Sequence, residues 1–384
     1  MGGPTGWGPM TGESIPLNRR AAMIRDVWGA AVARALRRGC EHFVVAGDLF
    51  DTANPSPRVL TAMARALDAA GELHFHLLVG NHDQRSDARG DNALAVLASI
   101  PNVTVYERPT FTHLGDEPFL FVPFYKPTLE DRGDALDAQV ELAFKGSGVP
   151  ATLVTHFGVE DASTPPYLRG AHDAVHVDDV MAVMMRRGFP LCVTGNWHTP
   201  NSWAHRAGAP MVEQCGALVP TGFDNPGPDY GHVVIAAYRG DGLPAVSRVK
   251  VGGPRFYTVQ VREGDERENW RPLVERTFQT MKGRSEAYIQ FRSPPAMVVG
   301  VTDSVARVVD EALGRYLVAW EVVPDSATTH EAQAAARAAV ATVSGDVDAM
   351  LAAHVEAKGS TFPRIVRPTR VLSLAREYLG KASA

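Results

Sequence analysis

Two apolar runs in the first quarter of the chain each end at a glycine that polar residues follow. Residues 43–51 read FVVAGDLFD and residues 74–83 read HFHLLVGNHD. Short apolar runs bounded by glycine are typical of strands buried on both faces of a parallel sheet. Ligands gather at the carboxyl ends of such strands. We therefore expect the polar side chains after the two runs to meet at one sheet edge: Asp48, Asn81, His82 and Asp83.

Apolar residues recur at helical spacing before and between these two runs. One stripe begins at Arg19 and stops at Gly39. A second stripe follows Ser56 and Pro57, residues that suit an N-cap and a first helical turn, and it stops at Gly71. The order helix, strand, helix, strand predicts a parallel sheet built through crossover helices.

Later apolar runs predict more strands of the same domain, at residues 103–106, 119–123, 151–155, 191–194, 230–238 and 246–251. Two of these runs end in further candidate ligands. His156 follows the run at 151–155, while Asn196 and His198 follow the run at 191–194. The first domain is therefore expected to span residues 1–252, with a boundary at the Gly-Gly-Pro that follows.

The rest of the chain predicts two smaller parts. Residues 253–325 contain alternating, half-exposed strands at 256–261, 288–291 and 317–322 and a helix at 304–312, which indicates a small mixed α/β domain. Residues 326–384 begin alanine-rich and helical by propensity, and end in a basic, apolar-studded tail from Arg364. That tail suits either docking on a partner or packing of a helix on its own domain.

Composition sets the broad class of the protein. The chain has 384 residues, of which 45% are hydrophobic and 21% charged, as in an ordinary soluble protein of about two domains. A net charge of −5 argues against a generally basic protein that coats nucleic acid, although a local basic groove stays compatible with it. Three scattered cysteines without CxxC spacing predict small buried residues in a reducing compartment. No run reaches membrane-spanning length and no signal-peptide order is visible, which predicts a cytoplasmic protein.

The groups that follow the strands have the chemistry of a metal centre. Carboxylate, amide oxygen and imidazole suit manganese, iron or zinc, and differ from the cysteine-rich set of a structural zinc site. Two metals about 3.5–4 Å apart can clamp a phosphoryl displacement and activate water. The predicted ligands are Asp48, Asn81, His156, Asn196 and His198. His82 is the predicted catalytic residue near the leaving group, Asp83 is placed to orient it, and Asp51 is expected to support another ligand.

Each of these pieces has a plainer explanation when it is taken alone. A Gly-Asp after a strand is usually a turn, and His156 alone would more often be a hydrogen-bonded core histidine. The joint recurrence after separate strands makes the metal hypothesis stronger than any single piece. The remaining histidines are assigned to strand faces and loops, and nothing in the sequence places Asp173 at the metal edge. These histidines include His42, His74, His76, His172 and His176.

The order GDLFD, GNHD, THFG, GNWH resembles the calcineurin-like metallophosphoesterase superfamily over about residues 19–250. GDLFDTANPSP is similar to the SbcD-type nuclease subunit of DNA break repair. GGPRFYTVQV followed by YIQFRS resembles, more loosely, the capping domain of those nucleases. The resemblance implies a sheet sandwich flanked by helices, with Asp48 bridging two metals. It further implies that Asn81, His156 and residue 196 hold one metal, that His198 helps hold the other, and that His82 is the catalytic histidine.

Two departures from the family pattern affect the predicted metal content. The family opens with Asp-x-His at the end of a first strand, but here no aspartate or histidine precedes Glu13. Either the chain begins too late or the protein lacks that half of the site. The second departure is GNWH in place of the family's GHxH, which leaves Asn196 to offer an amide oxygen. We therefore expect the chain as given to hold one metal better than two.

Three functions follow from this sequence, and they stay open at this point. The leading one is a manganese-dependent DNA exo- or endonuclease that partners an SbcC-like coiled-coil ATPase and forms a possible homodimer, in DNA recombination and repair. Weak candidates for DNA contacts are Arg255, Arg292 and Arg307. The alternatives are a phosphoesterase for small molecules or phosphoproteins, and a catalytically degenerate subunit that binds DNA or a partner.

Overall fold

The computed structural model of the chain describes residues 17–85, 90–125, 132–144, 151–165, 168–204, 210–220, 222, 230–239, 243–253, 255–262, 287–294, 298, 300–302, 305 and 317–324. Its helices are α1 (Arg19–Arg37), α2 (Pro57–Asp68), α3 (Arg132–Phe144) and α4 (Val177–Arg187), with a 3₁₀ helix at Ala95–Ser99. Its strands are β1 (His42–Val45), β2 (His74–Leu78), β3 (Val103–Tyr106), β4 (Thr110–Leu114), β5 (Glu117–Val122), β6 (Thr152–Thr155), β7 (Gly158–Glu160), β8 (Ala174–His176), β9 (Leu191–Thr194), β10 (Asn201–Ala204), β11 (Met211–Gln214), β12 (His232–Ala237), β13 (Ala245–Lys250), β14 (Arg255–Gln260), β15 (Ala287–Ser293) and β16 (Leu317–Pro324).

The first two helices begin where the sequence predicts, and each has a side-chain N-cap. The Asn18 carboxamide oxygen accepts the backbone N–H of Ala21 at 2.8 Å at the start of α1. Ser56 does the same for Val59 at 3.4 Å at the start of α2, and Pro57 occupies its first turn. These contacts satisfy backbone donors that a helix start leaves unpaired. Gly39, with φ of +70°, follows α1 in the left-handed conformation that glycine tolerates best.

The strands of the first domain divide between two main sheets. The first is β1-β2-β3, which is parallel throughout as predicted. The second has the order β10-β11-β9-β6-β5-β4, with parallel pairs in its centre and antiparallel pairs at both ends. The residues that follow β1 and β2 share one sheet edge as expected, because the two strands are parallel neighbours, whereas β6 and β9 belong to the second sheet. Periodicity identifies a strand but carries no information on which sheet it joins.

An apolar layer lies between the two sheets, and helices cover their outer faces. The inner layer includes Leu78 and Tyr106 from the first sheet and Phe121 and Val154 from the second. The rings of Tyr106 and Phe121 stack with centroids 3.8 Å apart. Outer clusters join α1 and α2 to the first sheet, and α3 and α4 to the second. The result is a mixed α/β sandwich in which carboxyl ends of both sheets carry the predicted ligands.

A smaller parallel sheet, β14-β15-β16, packs against α1. The Arg20 guanidinium lies over the rings of Phe256 and Tyr288, at 5.3 Å and 5.9 Å from their centroids. The predicted half-exposed alternation is wrong for β15, since Tyr288, Ile289 and Phe291 are all buried. A central parallel strand that is covered on both faces buries the side chains on each face, so its residues do not alternate between buried and exposed.

The domain boundaries predicted from sequence stay predictions. Residues up to Pro324 cluster into one compact unit, which includes the small sheet. The role of that sheet as a capping domain stays a prediction. The predicted helical region at 326–384 and Arg307 lie outside the described residues, and residue 255 is described only through its backbone.

Three histidines of the first sheet form a cluster at the amino ends of its strands. Nδ1 of His42 and Nε2 of His76 share a hydrogen bond of 3.1 Å, and Nδ1 of His76 lies 2.9 Å from the Tyr106 hydroxyl. The ring centroids of His74 and His76 are 4.7 Å apart. Burial and the adjacent His74 and His42 lower the pKa of His76 to about 3. The strand-face assignment of these histidines is confirmed, and the buried one is held neutral.

We expect this cluster to make folding sensitive to acid. A histidine whose pKa is lowered in the folded state does not change the free energy of unfolding at a pH where it is neutral in both the folded and the unfolded state. As the pH falls from about 6.5 toward about 3, only the unfolded state takes up the proton, so stability falls. In urea unfolding across this pH range, the unfolding free energy of wild type should therefore fall more steeply with decreasing pH than that of the His76→Asn variant. The difference in slope should be up to about 1.4 kcal/mol per pH unit. His113→Asn, at an exposed position on β4, is the control. Equal slopes for wild type and His76→Asn would contradict the prediction.

Candidate metal centre

Glycines allow the loops from both sheets to meet at the carboxyl ends of their strands. A Cβ at Gly47 would overlap the imidazole of His156, and one at Gly195 would overlap the carbonyl of Ala46. A backbone hydrogen bond of 3.0 Å from Phe124 to Val79 also joins the end of β5 to the end of β2. The two sheets are therefore in backbone contact where the candidate ligands lie.

Asp48, Asn81 and His156 converge on one point. Nε2 of His156 lies 2.9 Å from Oδ1 of Asn81 and 3.2 Å from Oδ2 of Asp48. The His156 side chain is fully buried, while Asp48 is 21% exposed. Asp48 has a positive φ of 53°, a strained conformation for a non-glycine residue. Its other oxygen, Oδ1, accepts the backbone N–H of His82 at 2.9 Å, which fixes the direction of the carboxylate.

The hydrogen bonds of His156 show that this point needs a positive charge. Nδ1 lies 2.7 Å from the carbonyl of Ala46, which only accepts, so Nδ1 carries a proton. Nε2 then faces the Asp48 carboxylate, and the Asn81 amide oxygen, with its lone pair. Three lone-pair donors this close require either a second proton on His156 or a cation between them. Carboxylate, amide and imidazole donors suit a divalent metal, and the Ala46 contact orients the ring as carbonyls do for metal-bound histidines.

The electrostatics of the pair agree with this geometry. Burial favours neutral His156, but the hydrogen bond and charge of Asp48 outweigh it and raise the pKa of the imidazole. Burial likewise opposes the charged form of Asp48, and His156 outweighs it and lowers the pKa of the carboxyl group. Without metal, the contact therefore favours the protonated imidazole and the charged carboxylate over their neutral forms. A metal must displace the proton from Nε2, so metal uptake should release protons.

His82 lies at the mouth of this cluster with its side chain 50% exposed. Its Nδ1 is 3.4 Å from the backbone carbonyl of Asp51 and 4.0 Å from the Asp51 carboxylate. Asp51 is therefore the acidic neighbour of His82. The sequence predicts Asp83 in that position, and it predicts that Asp51 supports a different ligand.

Asp83 has a different task from the predicted one. It is completely buried, and its two carboxylate oxygens accept the backbone N–H groups of Phe50 and Gly80, each at 3.0 Å. Asp83 thereby links the loop after β1 to the loop after β2. Burial and the nearby charge of Asp48 raise the pKa of Asp83 to about 6. Adjacency in sequence suggested contact with His82, but the tight turn directs the side chain toward the backbone.

Asn196 lies in the loop after β9, next to the glycine that abuts His156. Its amide nitrogen donates to Asp173, at 2.9 Å to the carboxylate and 3.3 Å to the backbone carbonyl. The structure therefore brings Asp173 to this loop, which sequence reasoning missed. Asp173 directly precedes β8, and β8 pairs with β7 just beyond His156. Only the pairing of those short strands could have revealed it.

The remaining predicted residues are less directly tied to the cluster. His198 lies in the same loop as Asn196, half-buried, and its backbone carbonyl accepts from Ala217 at 2.8 Å. Arg292, a candidate for DNA contact, donates from Nε to Gln290 within β15 at 3.0 Å. Neither observation tests the role that the sequence predicts for the residue.

Three donors of the described residues converge at this point. Among the described residues, no group of three or more His, Cys, Asp or Glu side chains is placed to hold a metal. The third donor beside Asp48 and His156 is the amide oxygen of Asn81. Three donors suit a single divalent ion, and the expectation that the chain holds one metal better than two stays a prediction. The metal content itself is untested.

Gly80→Ala should disturb this centre by steric overlap. A Cβ there would overlap the backbone nitrogen and the carboxylate of Asp48. We expect a loss of about 1–3 kcal/mol in unfolding free energy, since forcing extra atoms into packed structure shifts its neighbours. Urea unfolding measures it. Gly29→Ala is the matched control, because nothing lies within 4 Å of its Cβ and alanine favours a helix. Equal stability of the Gly80→Ala variant and wild type would contradict the prediction.

The first comparison with known proteins concerns the sandwich domain. Residues 19–200 match the family model described as calcineurin-like phosphoesterase. This part of the chain, just under half of its residues, is therefore similar to calcineurin-like phosphoesterase domains. The match covers the loops that carry Asp48, Asn81, His156 and Asn196, together with Asp173. Members of this family use divalent metals, in keeping with the donors that converge on His156.

The other comparisons add little about function. A crystal structure described as a "Putative 5'-Nucleotidase from Staphylococcus aureus in complex with alpha-ketoglutarate" aligns with 14% identity and a TM-score of 0.38. The alignment covers 65% of this chain and 53% of that one, so the chain spans about half the length of this neighbour. No curated protein matches the chain. In the part of the chain that is described, every helix is too short or too polar to cross a membrane.

Proposed function

We propose that this protein is a metal-dependent phosphodiesterase that cleaves DNA, in the manner of an SbcD-type nuclease subunit. The observation that carries the proposal is the position of the buried His156 Nε2, against Oδ1 of Asn81 and Oδ2 of Asp48. These atoms are donors for a divalent ion at the carboxyl ends of strands from two sheets. The ion when bound would polarise a phosphoryl oxygen and lower the pKa of a water molecule.

The protein's own residues hold that centre in place. Ala46 fixes the His156 ring through Nδ1, and the His82 backbone N–H fixes the Asp48 carboxylate through Oδ1. Asp83 links the two loops that carry Asp48 and Asn81. The ligands are therefore preorganised, which reduces the rearrangement needed when an ion or a phosphate binds.

His82 is the proposed acid for the leaving oxygen. Its Nδ1 is directed toward Asp51, so Nε2 is the nitrogen available to a substrate. A half-exposed imidazole beside a phosphoester can protonate the departing oxygen, or stabilise charge that develops on the phosphoryl group. The backbone carbonyl of Asp51 lies close enough to Nδ1 of His82 to orient the ring.

DNA as substrate is supported by the resemblance of GDLFDTANPSP to SbcD-type nucleases and by the small sheet that follows the sandwich. The test compares hydrolysis of double-stranded DNA ends with hydrolysis of small phosphodiesters in Mn²⁺. Cleavage of DNA ends that weakens steeply with added salt is expected, because phosphate contacts release counterions. Activity on small esters alone would contradict the DNA assignment and leave the phosphoesterase assignment in place. The partner ATPase, and DNA repair as the cellular role, belong to the same proposal.

One observation favours a small phosphoester instead. An open cavity of about 270 Å³ lies between the loop after Asp51 and the segment after Asp83. Its described lining includes Asn54, Leu60, Arg85, Asp91, Asn92 and Val96. Arginine and amide side chains suit a phosphate and a polar ring. Hydrolysis of nucleotides with the loss of that activity in Arg85→Ala would favour this second candidate.

A further inference from the structure

Asn196 is held in an unusual backbone conformation beside the candidate metal centre. Its φ is +74°, in the left-handed region that asparagine tolerates better than most residues. The loop is fixed on both sides. The Gly195 N–H donates to Thr155 at 3.2 Å, and the Trp197 ring lies so close to Gly158 that a Cβ there would overlap it.

Asp173 binds the nitrogen of the Asn196 carboxamide through two oxygens. The amide nitrogen is 2.9 Å from the Asp173 carboxylate and 3.3 Å from the Asp173 carbonyl. Both atoms only accept hydrogen bonds, which identifies the amide atom facing them as the nitrogen. Asp173 is itself anchored, because its carbonyl also accepts the Gly158 N–H at 2.9 Å.

The amide oxygen of Asn196 is therefore the atom left to face elsewhere. A carboxamide is nearly symmetric in shape, so a free one would present nitrogen or oxygen with little preference. Only the oxygen can bind a metal, whereas an NH₂ group next to a cation would repel it. An imidazole needs less help, since either of its nitrogens can ligate a metal.

We propose that Asp173 is a positioning residue that turns Asn196 to present its oxygen to the metal. The proposal rests on the proposed function. It gives a physical account of how asparagine serves in a loop where the resembling family carries histidine. Asp173 does this through the amide nitrogen, and the Asp173–Asn196 pair acts as one unit. The hydrogen bond that Asp173 accepts from Asn196 matters more than the charge of Asp173, so the Asp173→Asn variant should keep the positioning role.

The experiment measures binding of Mn²⁺ alone to the purified full chain by titration calorimetry, without substrate. Asp173→Ala should weaken binding by about 10–100-fold, the usual effect of removing a residue that orients a metal ligand. Asp173→Asn, which keeps an oxygen acceptor for the amide, should stay within about 3-fold of wild type. Asn196→Ala should weaken binding about as much as Asp173→Ala, and the double variant should lose no more.

Urea unfolding of each metal-free variant shows whether it is folded, and variants are compared only where they are. Normal Mn²⁺ affinity in folded Asp173→Ala overturns this proposal and leaves the proposed function intact. So does an Asp173→Ala effect that persists in full in the Asn196→Ala background, because the aspartate would then act independently of Asn196. A wild-type chain that takes up no Mn²⁺ overturns the proposed function and this proposal with it.

Discussion

His156→Ala is expected to abolish measurable Mn²⁺ binding, a loss of at least about 100-fold. The imidazole supplies the only nitrogen of the three converging donors, and its Nε2 touches both of the others. Without it the remaining carboxylate and amide would hold an ion mainly through water. Titration calorimetry at constant pH measures the change. His172→Ala, at an exposed histidine outside the cluster, is the matched control and should bind as wild type does.

The same titration carries a second signature of the site. Asp48 raises the pKa of His156, so at low pH a proton occupies the Nε2 position that the metal needs. Mn²⁺ affinity of wild type should therefore fall as the pH is lowered, and binding should release a proton. Repeating the titration in buffers of different ionisation enthalpy detects that proton. Full affinity in folded His156→Ala would show that the metal binds elsewhere.

His82→Ala is expected to lower the turnover of phosphodiester substrates by about 10²–10⁴-fold while it leaves Mn²⁺ affinity near wild type. The imidazole is exposed toward solvent and is not one of the converging donors. Its backbone N–H, which holds Asp48, is kept in the alanine variant. The loss should therefore appear in kcat, measured under saturating substrate and metal.

His113→Ala, exposed on β4, is the control for any general effect of losing a histidine. Phosphodiester turnover that is the same in His82→Ala and in wild type would contradict a catalytic role. If the binding of DNA or a partner survived in that variant, a catalytically silent subunit would become the better hypothesis. A parallel loss of Mn²⁺ affinity would instead show that His82 supports the metal site.

The parts of the site that the sequence predicts are those set by local geometry. A glycine after a buried strand puts Asp48 and Asn81 at the carboxyl ends of neighbouring parallel strands, and β1 and β2 pair as expected. Asp83 shows the limit of that reasoning. It follows His82 in the chain, yet its carboxylate turns inward to the N–H groups of Phe50 and Gly80. The Phe50 N–H belongs to a loop more than thirty residues earlier in the chain, and the Gly80 N–H belongs to the turn just before Asp83. Hydrophobic periodicity does not predict either contact.

By itself the sequence determined the strands that precede the donors, the Ser56 cap, the loops that carry the donors and the chemistry of those donors, because each depends on residues close together in the chain. Tertiary structure alone decided that His156 comes from a second sheet to meet Asp48 and Asn81. It also decided that Asp51 neighbours His82, and that Asp173 binds Asn196. The physical reason is that such contacts depend on how sheets stack and short strands pair. Those arrangements are selected by packing of the whole apolar core rather than by any local pattern.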